Sequence, residues 1–261
     1  LTRPEALQIL PPDLSNMALF IDESHHAAES NQTSTFIQEW LFRNGKVLYG
    51  TAIPMHATQN LIIPADVWGY TRSLAIHIKE GYAPKDIRLD FEPCPGGLWE
   101  APNVLSQMAI DLTVTIYQNR GCPYTIVNIP KGESVKNAQR LVDAFLRADP
   151  TCEVCHIVGG DPEGIAILER EQELAKKGDA NLLKTKVFIA CGRFHEGVNW
   201  VPCSLVITWG LPRSFPRIGQ QHGRSYRLKG PNPDDPVGKW VLKNYPPDRV
   251  DVAEIVFLVE A

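Results

Sequence analysis

"KVFIACGRFHEGVNWVPCSLVITWG" (Lys186–Gly210) sets two short apolar runs, 186–192 and 204–210, on either side of a polar turn. A run that is apolar at nearly every position fits a strand buried on both faces, and such strands belong to parallel sheets covered by helices. Runs of the same kind occur at "MALFIDE" (17–23), "KVLYGTA" (46–52), "YTIVNIP" (124–130), "EVCHIVGG" (153–160) and "EIVFLVE" (254–260). Helical patterns separate several of them. "ESVKNAQRLVDAFLRA" (133–148) places Val135, Leu141, Val142, Phe145 and Leu146 at helical spacing, "DPEGIAILEREQELAKKG" (161–178) is a more charged helix, and "NVLSQMAIDLTVTIYQNRG" (103–121) reads as a third. Strand and helix in alternation specify an α/β fold with mostly parallel sheets.

The stretch "GYAPKDIRLDFEPCPGGLWEAP" (81–102), rich in Pro and Gly, reads as a linker or crossover between an early and a late group of strands. A second proline-rich excursion, 228–250, precedes the last strand. With 261 residues, one large or two modest domains are expected. A net charge of −4 argues against a protein that coats nucleic acid through its overall charge, although a basic channel can sit on an acidic body. No apolar run is long enough to span a bilayer and no signal-peptide pattern is present, so no membrane partner is expected. Six irregularly spaced cysteines do not form a disulfide framework, which favours a reducing, intracellular setting, cytoplasm or nucleus.

Three polar stretches carry candidate chemistry. In "LFIDESHHAAES" (19–30), Asp22 and Glu23 follow an apolar strand, where open α/β sheets bind ligands. A carboxylate there can hold Mg²⁺ through water while its neighbour orients or deprotonates an attacking water; an acidic helix cap is the plainer use of the pair. In "GQQHGRSYR" (219–227), Arg224 and Arg227 are three apart, on one face of a helix, so both guanidiniums can reach one polyphosphate. In "CGRFHEGVNWVP" (191–202), Gly197 and Asn199 form a turn suited to a nucleotide or a nucleic-acid backbone, or an ordinary loop.

In order and spacing these segments resemble the motifs of superfamily two helicases and translocases, the DExH-box proteins. "DESH" (22–25) resembles motif II, "GTAIP" (50–54) motif III, "YTIVNIP" motif IV, "FHEGVNWVP" (194–202) motif V and "QQHGRSYR" motif VI, while "LTRPEAL" (1–7) resembles motif Ib. One such match is weak; six in family order across nearly the whole chain are specific.

The resemblance implies two RecA-like domains with ATP in the cleft between them. Residues 1–80 would be the C-terminal half of the first domain, so that it is only partly present, and 103–261 most of the second. Asp22 would hold Mg²⁺, Glu23 would be the general base, and His25 would link the ATP site to motif VI. Thr51 and Ala52 would couple hydrolysis to domain movement, and Gly197 and Asn199 would touch nucleotide or backbone. Gln220 and Gly223 belong to the same motif VI, from which Arg224 and Arg227 would meet the phosphates. Thr2, Arg193, His195 and Lys131 lie in segments resembling strand-contacting motifs; for the last three a solvated loop charge is an equal alternative. Three departures stand out: Ile53 replaces the usual Thr of motif III, Asn199 a frequent Asp, and Gln221 the Arg of RNA-acting members. "EGVN…P" followed by "LPRSF…QQHGRSYR" resembles the restriction-enzyme and DNA-translocase branches more than the DEAD-box RNA branch, and that resemblance implies DNA over RNA.

No G-x-x-x-x-G-K-[ST] occurs: "NGKV" (44–47) and "VGKW" (237–240) lack the hydroxyl residue, and "VGGDPEG" (158–164) lacks the lysine. In the family this loop precedes motif II, so it is expected upstream of Leu1, and the chain alone is expected not to hydrolyse ATP appreciably. The expected function is an ATP-dependent helicase or translocase, with ATP, nucleic acid and further subunits or domains as partners. The alternative is a catalytically degenerate helicase-like module that binds nucleic acid or docks a partner. "CEVCH" (152–156) matches a c-type haem attachment pattern but reads better as a core strand with structural thiols. Trp40, Trp200 and Trp209 could stack bases, though core packing is the commoner use.

Overall fold

The computed structural model describes residues 4–21, 31–50, 73–81, 83–121, 124–177, 183–191, 200, 202–211, 239, 243 and 245–261. The chain divides into two compact units, the first comprising residues up to Tyr70 and the second almost all that follows.

In the first unit, β1 (Ala18–Ile21), α1 (Asn31–Phe42) and β2 (Lys46–Tyr49) form a βαβ unit whose strands pair in parallel. Leu14, Phe36 and Trp40 are buried together, and Ile21 packs on Ile37. The helix ends at Asn44, whose φ of 62° is the left-handed turn that Asn tolerates. At Gly45 the next turn passes so close under the Trp40 indole that a Cβ would lie 2.2 Å from Nε1. That nitrogen donates to the Lys46 carbonyl at 3.1 Å, locking helix to strand.

The second unit begins with α2 (Leu74–Lys79) and is built on a six-stranded, all-parallel sheet. In chain order its elements are β3 (Asp86–Cys94), the hairpin strands β4 (Trp99–Ala101) and β5 (Val104–Leu105), α3 (Gln107–Arg120), β6 (Thr125–Asn128), α4 (Ser134–Ala148), β7 (Val154–Ile157), α5 (Pro162–Lys177), β8 (Val187–Ala190), β9 (Leu205–Trp209) and β10 (Val252–Glu260). The strand order is β3-β10-β9-β6-β8-β7. Strands β6, β8 and β9 are buried at every position, including the polar Thr125 and Asn128 of β6 and Thr208 of β9. Ile110, Val114, Leu141 and Phe145 of α3 and α4 cover one face. Leu168 of α5, with Trp200 and Tyr245, covers the other. Ser106 caps α3, its Oγ accepting from the Ala109 amide at 3.2 Å, and Gly121 ends that helix at φ 60°.

The expected linker, 81–102, is instead structured. Its first half is β3, paired with β10 along all nine residues, and its second half opens the β4–β5 hairpin. Ile87, Leu89 and Phe91 alternate with Arg88, Asp90 and Glu92, the period of a strand, although Leu89 and Phe91 remain 52% and 53% exposed at this edge. Phe91 stacks on Phe257 at 5.3 Å. On the opposite face the Arg120 guanidinium meets Asp90 at 2.6 Å and Glu92 at 3.1 Å. Beside them Glu254, 1% exposed, is held by Arg88 and Arg249. The flanking prolines and glycines masked this alternation.

The α4 stripe also differs in detail. Leu141 and Phe145 are buried as expected, but Val135 and Leu146 are exposed and Asn137 is buried. Trp40, Trp200 and Trp209 are all core residues. The "VCHI" run forms β7, with Cys152 buried just before it. Burial raises the thiol pKa at Cys152 and, more strongly, at Cys155, to about 11, so neither is poised as a nucleophile. No helix among the described residues is long and apolar enough to cross a membrane.

Candidate functional site

Three of the motif-like segments begin shortly after a parallel strand in the sequence: β1 ends at Ile21, β2 at Tyr49 and β8 at Ala190, while the motif IV segment contains β6. In the first unit Ile21 and Tyr49 are register partners at the ends of β1 and β2, and the Gly50 amide donates to the Ile21 carbonyl at 2.8 Å. The segments starting at Asp22 and Thr51 therefore leave the sheet side by side. Adjacent departure points are what two loops need to act on one ligand.

In the second unit Asn128 is the register partner of both Ala190 and Thr208. The ends of β8, β6 and β9 thus form one row, from which the 129–133, 191–199 and 210–227 segments depart. The chain crosses β6 between β8 and β9, so the row is a topological switch point, where connections diverge and leave room for a ligand. The Ile129 amide donates to the Ala190 carbonyl at 2.9 Å, and Gly210 turns away at φ 75°. Buried Asn128 donates from Nδ2 to Thr208 Oγ1 at 3.5 Å, while its Oδ1 has no hydrogen-bond partner among the described residues.

On the α4 side of this row sit Lys131, Ser134 and Cys191. Burial pushes the Cys191 thiol up, opposed by a hydrogen bond with Ser134 and by the charge of Lys131. Lys131 is itself exposed at the loop apex. At Gly132, with φ 145°, a Cβ would lie 2.8 Å from the Asn103 Cβ, so the hairpin turn presses directly on the Lys131 loop. Helix α4 begins at Glu133 without a side-chain cap.

Of the residues given a catalytic, nucleotide or strand-contacting role by the resemblance, only Lys131 falls among the described residues. Asp22, Glu23, His25, Thr51, Ala52, Arg193, His195, Gly197, Asn199, Gln220, Gly223, Arg224, Arg227 and Thr2 lie outside them. Among the described residues no group of His, Cys, Asp or Glu could hold a metal ion. Sequence reasoning missed Asn128, Thr208 and Asn137, buried polar side chains on or beside the row. Their signal was a polar residue inside an otherwise apolar strand or helix face. An open groove of about 640 Å³ lined by Cys152, Cys155, Arg170 and Lys184 lies at the amino end of β7, opposite the motif-bearing ends.

The sequence matches no protein-family model and no curated protein. Its structure is similar to the type ISP restriction-modification enzyme LlaBIII, an ATP-dependent enzyme solved bound to DNA (TM-score 0.60, 14% identity over 98% of this chain and 19% of that one). It is similar to a fragment assigned to the HsdR subunit of a type I restriction enzyme from Vibrio vulnificus YJ016 (TM-score 0.58, 16% identity, 98% and 45%). It is also similar to the Mycobacterium smegmatis helicase Lhr, solved with single-stranded DNA and AMP-PNP (TM-score 0.55, 13% identity, 94% and 28%). The chain spans less than half the length of each. The likeness establishes the fold, the α/β architecture with mostly parallel sheets found in the cores of helicases and translocases.

Proposed function

We propose that this chain forms part of the motor of a nucleic-acid-dependent ATPase, a helicase or translocase acting on DNA in preference to RNA. One observation supports the reading: six motif-like segments occur in helicase order, and those resembling motifs II, III and V follow parallel strands in the sequence of a chain whose fold is like that of solved helicases. A chance acidic pair has no reason to respect that order.

In this reading Glu23 accepts a proton from water as the water oxygen attacks the γ-phosphorus and ADP leaves. Arg224 and Arg227, permanently charged forks, stabilise the charge on the transferring phosphoryl group, and Gln220 orients the reacting groups. His25, Thr51, Ala52, Gly197, Asn199 and Gly223 bind nucleotide or couple it to movement. Asp22 supplies a hard carboxylate oxygen of the kind Mg²⁺ takes, and Mg²⁺ when bound neutralises phosphate charge. Lys131, Arg193, His195 and Thr2 contact the strand.

The test uses the full-length protein. Glu23→Gln removes the base while keeping the shape, so turnover should fall about 10²–10⁴-fold with binding of a fluorescent ATP analogue retained. Persistence of turnover sinks the assignment of the base. Comparing stimulation by single-stranded DNA, duplex DNA and RNA decides the preference. An absence of ATPase activity in the unmodified protein would instead favour a degenerate binding module.

A further inference from the structure

The β4–β5 hairpin, Asn137 and the Lys131 loop form one assembly. The loop leaves β6 at Ile129 and reaches α4 at Ser134, with Lys131 exposed at its apex. Inside the loop the Ser134 amide donates to the Gly132 carbonyl at 2.7 Å. The hairpin turn fills the other side. Asn103, at φ 64°, sets its side chain where a Cβ on Gly132 would be, 2.8 Å from Cβ and 3.1 Å from Oδ1. Only glycine allows that approach at φ 145°.

The hairpin turn is in turn tied to α4 by one side chain. Asn137 is 1% exposed; its Nδ2 donates to the Asn103 carbonyl at 2.8 Å and its Oδ1 accepts from the Leu105 amide at 3.1 Å. One turn further along, Arg140 grips the hairpin base, meeting Glu100 at 2.9 and 3.2 Å and the Leu105 carbonyl at 2.7 Å. A carboxamide is the group of this reach that offers a donor and an acceptor together. A carboxylate would face the Asn103 carbonyl with no proton to share, and an aliphatic side chain would leave two buried backbone groups unpaired.

We propose that Asn137 is a positioning residue for strand binding: by clamping the hairpin to α4 it holds the hairpin turn against Gly132, and so fixes where Lys131 meets a nucleic-acid phosphate. The inference rests on Lys131 being a strand contact, part of the function proposed above. Lysine is a point charge on a flexible stem, so a loop held in one place lowers the ordering cost of each contact.

The experiment measures affinity of the full-length protein for a labelled single-stranded DNA oligonucleotide across a salt series, by anisotropy. Lys131→Ala should lower the slope of log affinity against log salt by about 0.7, one phosphate contact on a single strand. Asn137→Asp should weaken binding roughly three- to tenfold, the scale of one lost hydrogen bond, and lower the slope in the same direction. Combined with Lys131→Ala it should add no further loss, because both act through one contact. A residue that only stabilises the fold would lower the unfolding temperature without moving the slope, and its effect would add to that of Lys131→Ala; either result overturns the inference alone. If Lys131→Ala changes neither affinity nor slope, the strand contact falls and the inference with it. Should Asn137→Asp fail to fold, Asn103→Gly is the second variant. It keeps the left-handed turn and the carbonyl that Asn137 bonds, but removes the side chain pressed on Gly132. It too should lower the slope in the parent and not in the Lys131→Ala background, and an unchanged slope overturns the proposal.

Discussion

Trp200 closes the segment that carries Gly197 and Asn199, and its replacement tests how that segment is anchored. The indole is 1% exposed and meets two rings edge-on, Phe188 at 4.7 Å and Tyr124 at 5.6 Å. Trp→Ala in a core costs about 3–5 kcal/mol, within which each edge-to-face pair accounts for ~0.5–1.5. One term has the opposite sign. Trp200 Nε1 is buried without a hydrogen-bond partner among the described residues, a desolvation cost of about 1–3 kcal/mol that disappears with the indole. Trp200→Ala should therefore destabilise the second unit by about 2 kcal/mol, the difference between the middles of the two ranges, lowering its melting temperature by roughly 4–8 °C for a domain of this size. Trp200→Phe keeps one ring against Phe188 and Tyr124 and removes the orphaned N–H, so loss and gain nearly cancel. Urea unfolding and calorimetry of the full-length protein measure both. An alanine variant costing less than ~1 kcal/mol would refute the packing argument. A phenylalanine variant as damaging as alanine would refute the unsatisfied N–H argument.

Two further outcomes follow from local geometry. Burial, together with the Glu171 charge, raises the Tyr124 pKa from 10.0 to about 12, so between those values the unfolded chain loses a proton that the folded chain keeps. Stability associated with this group is complete below the unfolded pKa and falls by up to ~1.4 kcal/mol per pH unit across that window. Tyr124→Phe should flatten the slope in urea titrations there, and an identical slope in both proteins refutes the assignment. In the first unit, Gly45→Ala drives a Cβ to within 2.2 Å of the Trp40 ring, an overpacking cost of about 1–3 kcal/mol. Trp40 fluorescence during unfolding should report it, and a neutral result would place the turn elsewhere.

The central strands were legible because β8 is wholly apolar, β9 is apolar at all but Thr208, and Ile126 and Val127 give β6 an apolar centre. Strand β3 was not read, although Ile87, Leu89 and Phe91 alternate as an edge strand should, because Pro and Gly on both sides carried a stronger loop signal. In α4 the spacing marked a helix correctly but misplaced its rim. Val135 stands 54% exposed while Asn137 lies inside, because the β4–β5 hairpin offers that amide two backbone partners. Of the candidate site, the ends of β6 and β8 were legible, since a segment following a buried strand must emerge at its carboxyl end. Strands β1 and β2, expected to be buried on both faces, instead leave Phe20 65% and Leu48 59% exposed, each strand having only the other as a neighbour among the described residues.

The amino-acid sequence by itself determined the α/β class and the order of the motif-like segments. These are local properties: an apolar run marks a strand in its own composition, although whether both faces are covered depends on its neighbours, as the exposed Phe20 of β1 and Leu48 of β2 show. Tertiary structure alone decided that Asn128 lies between Ala190 and Thr208, that β3 extends the sheet beyond β10, and that Asn137 and Glu254 are buried. Any parallel neighbour satisfies an apolar strand, so strand order is not encoded in its pattern. A polar side chain can be buried only where distant segments bring it partners, as Asn103 and Leu105 do for Asn137, and Arg88 and Arg249 for Glu254.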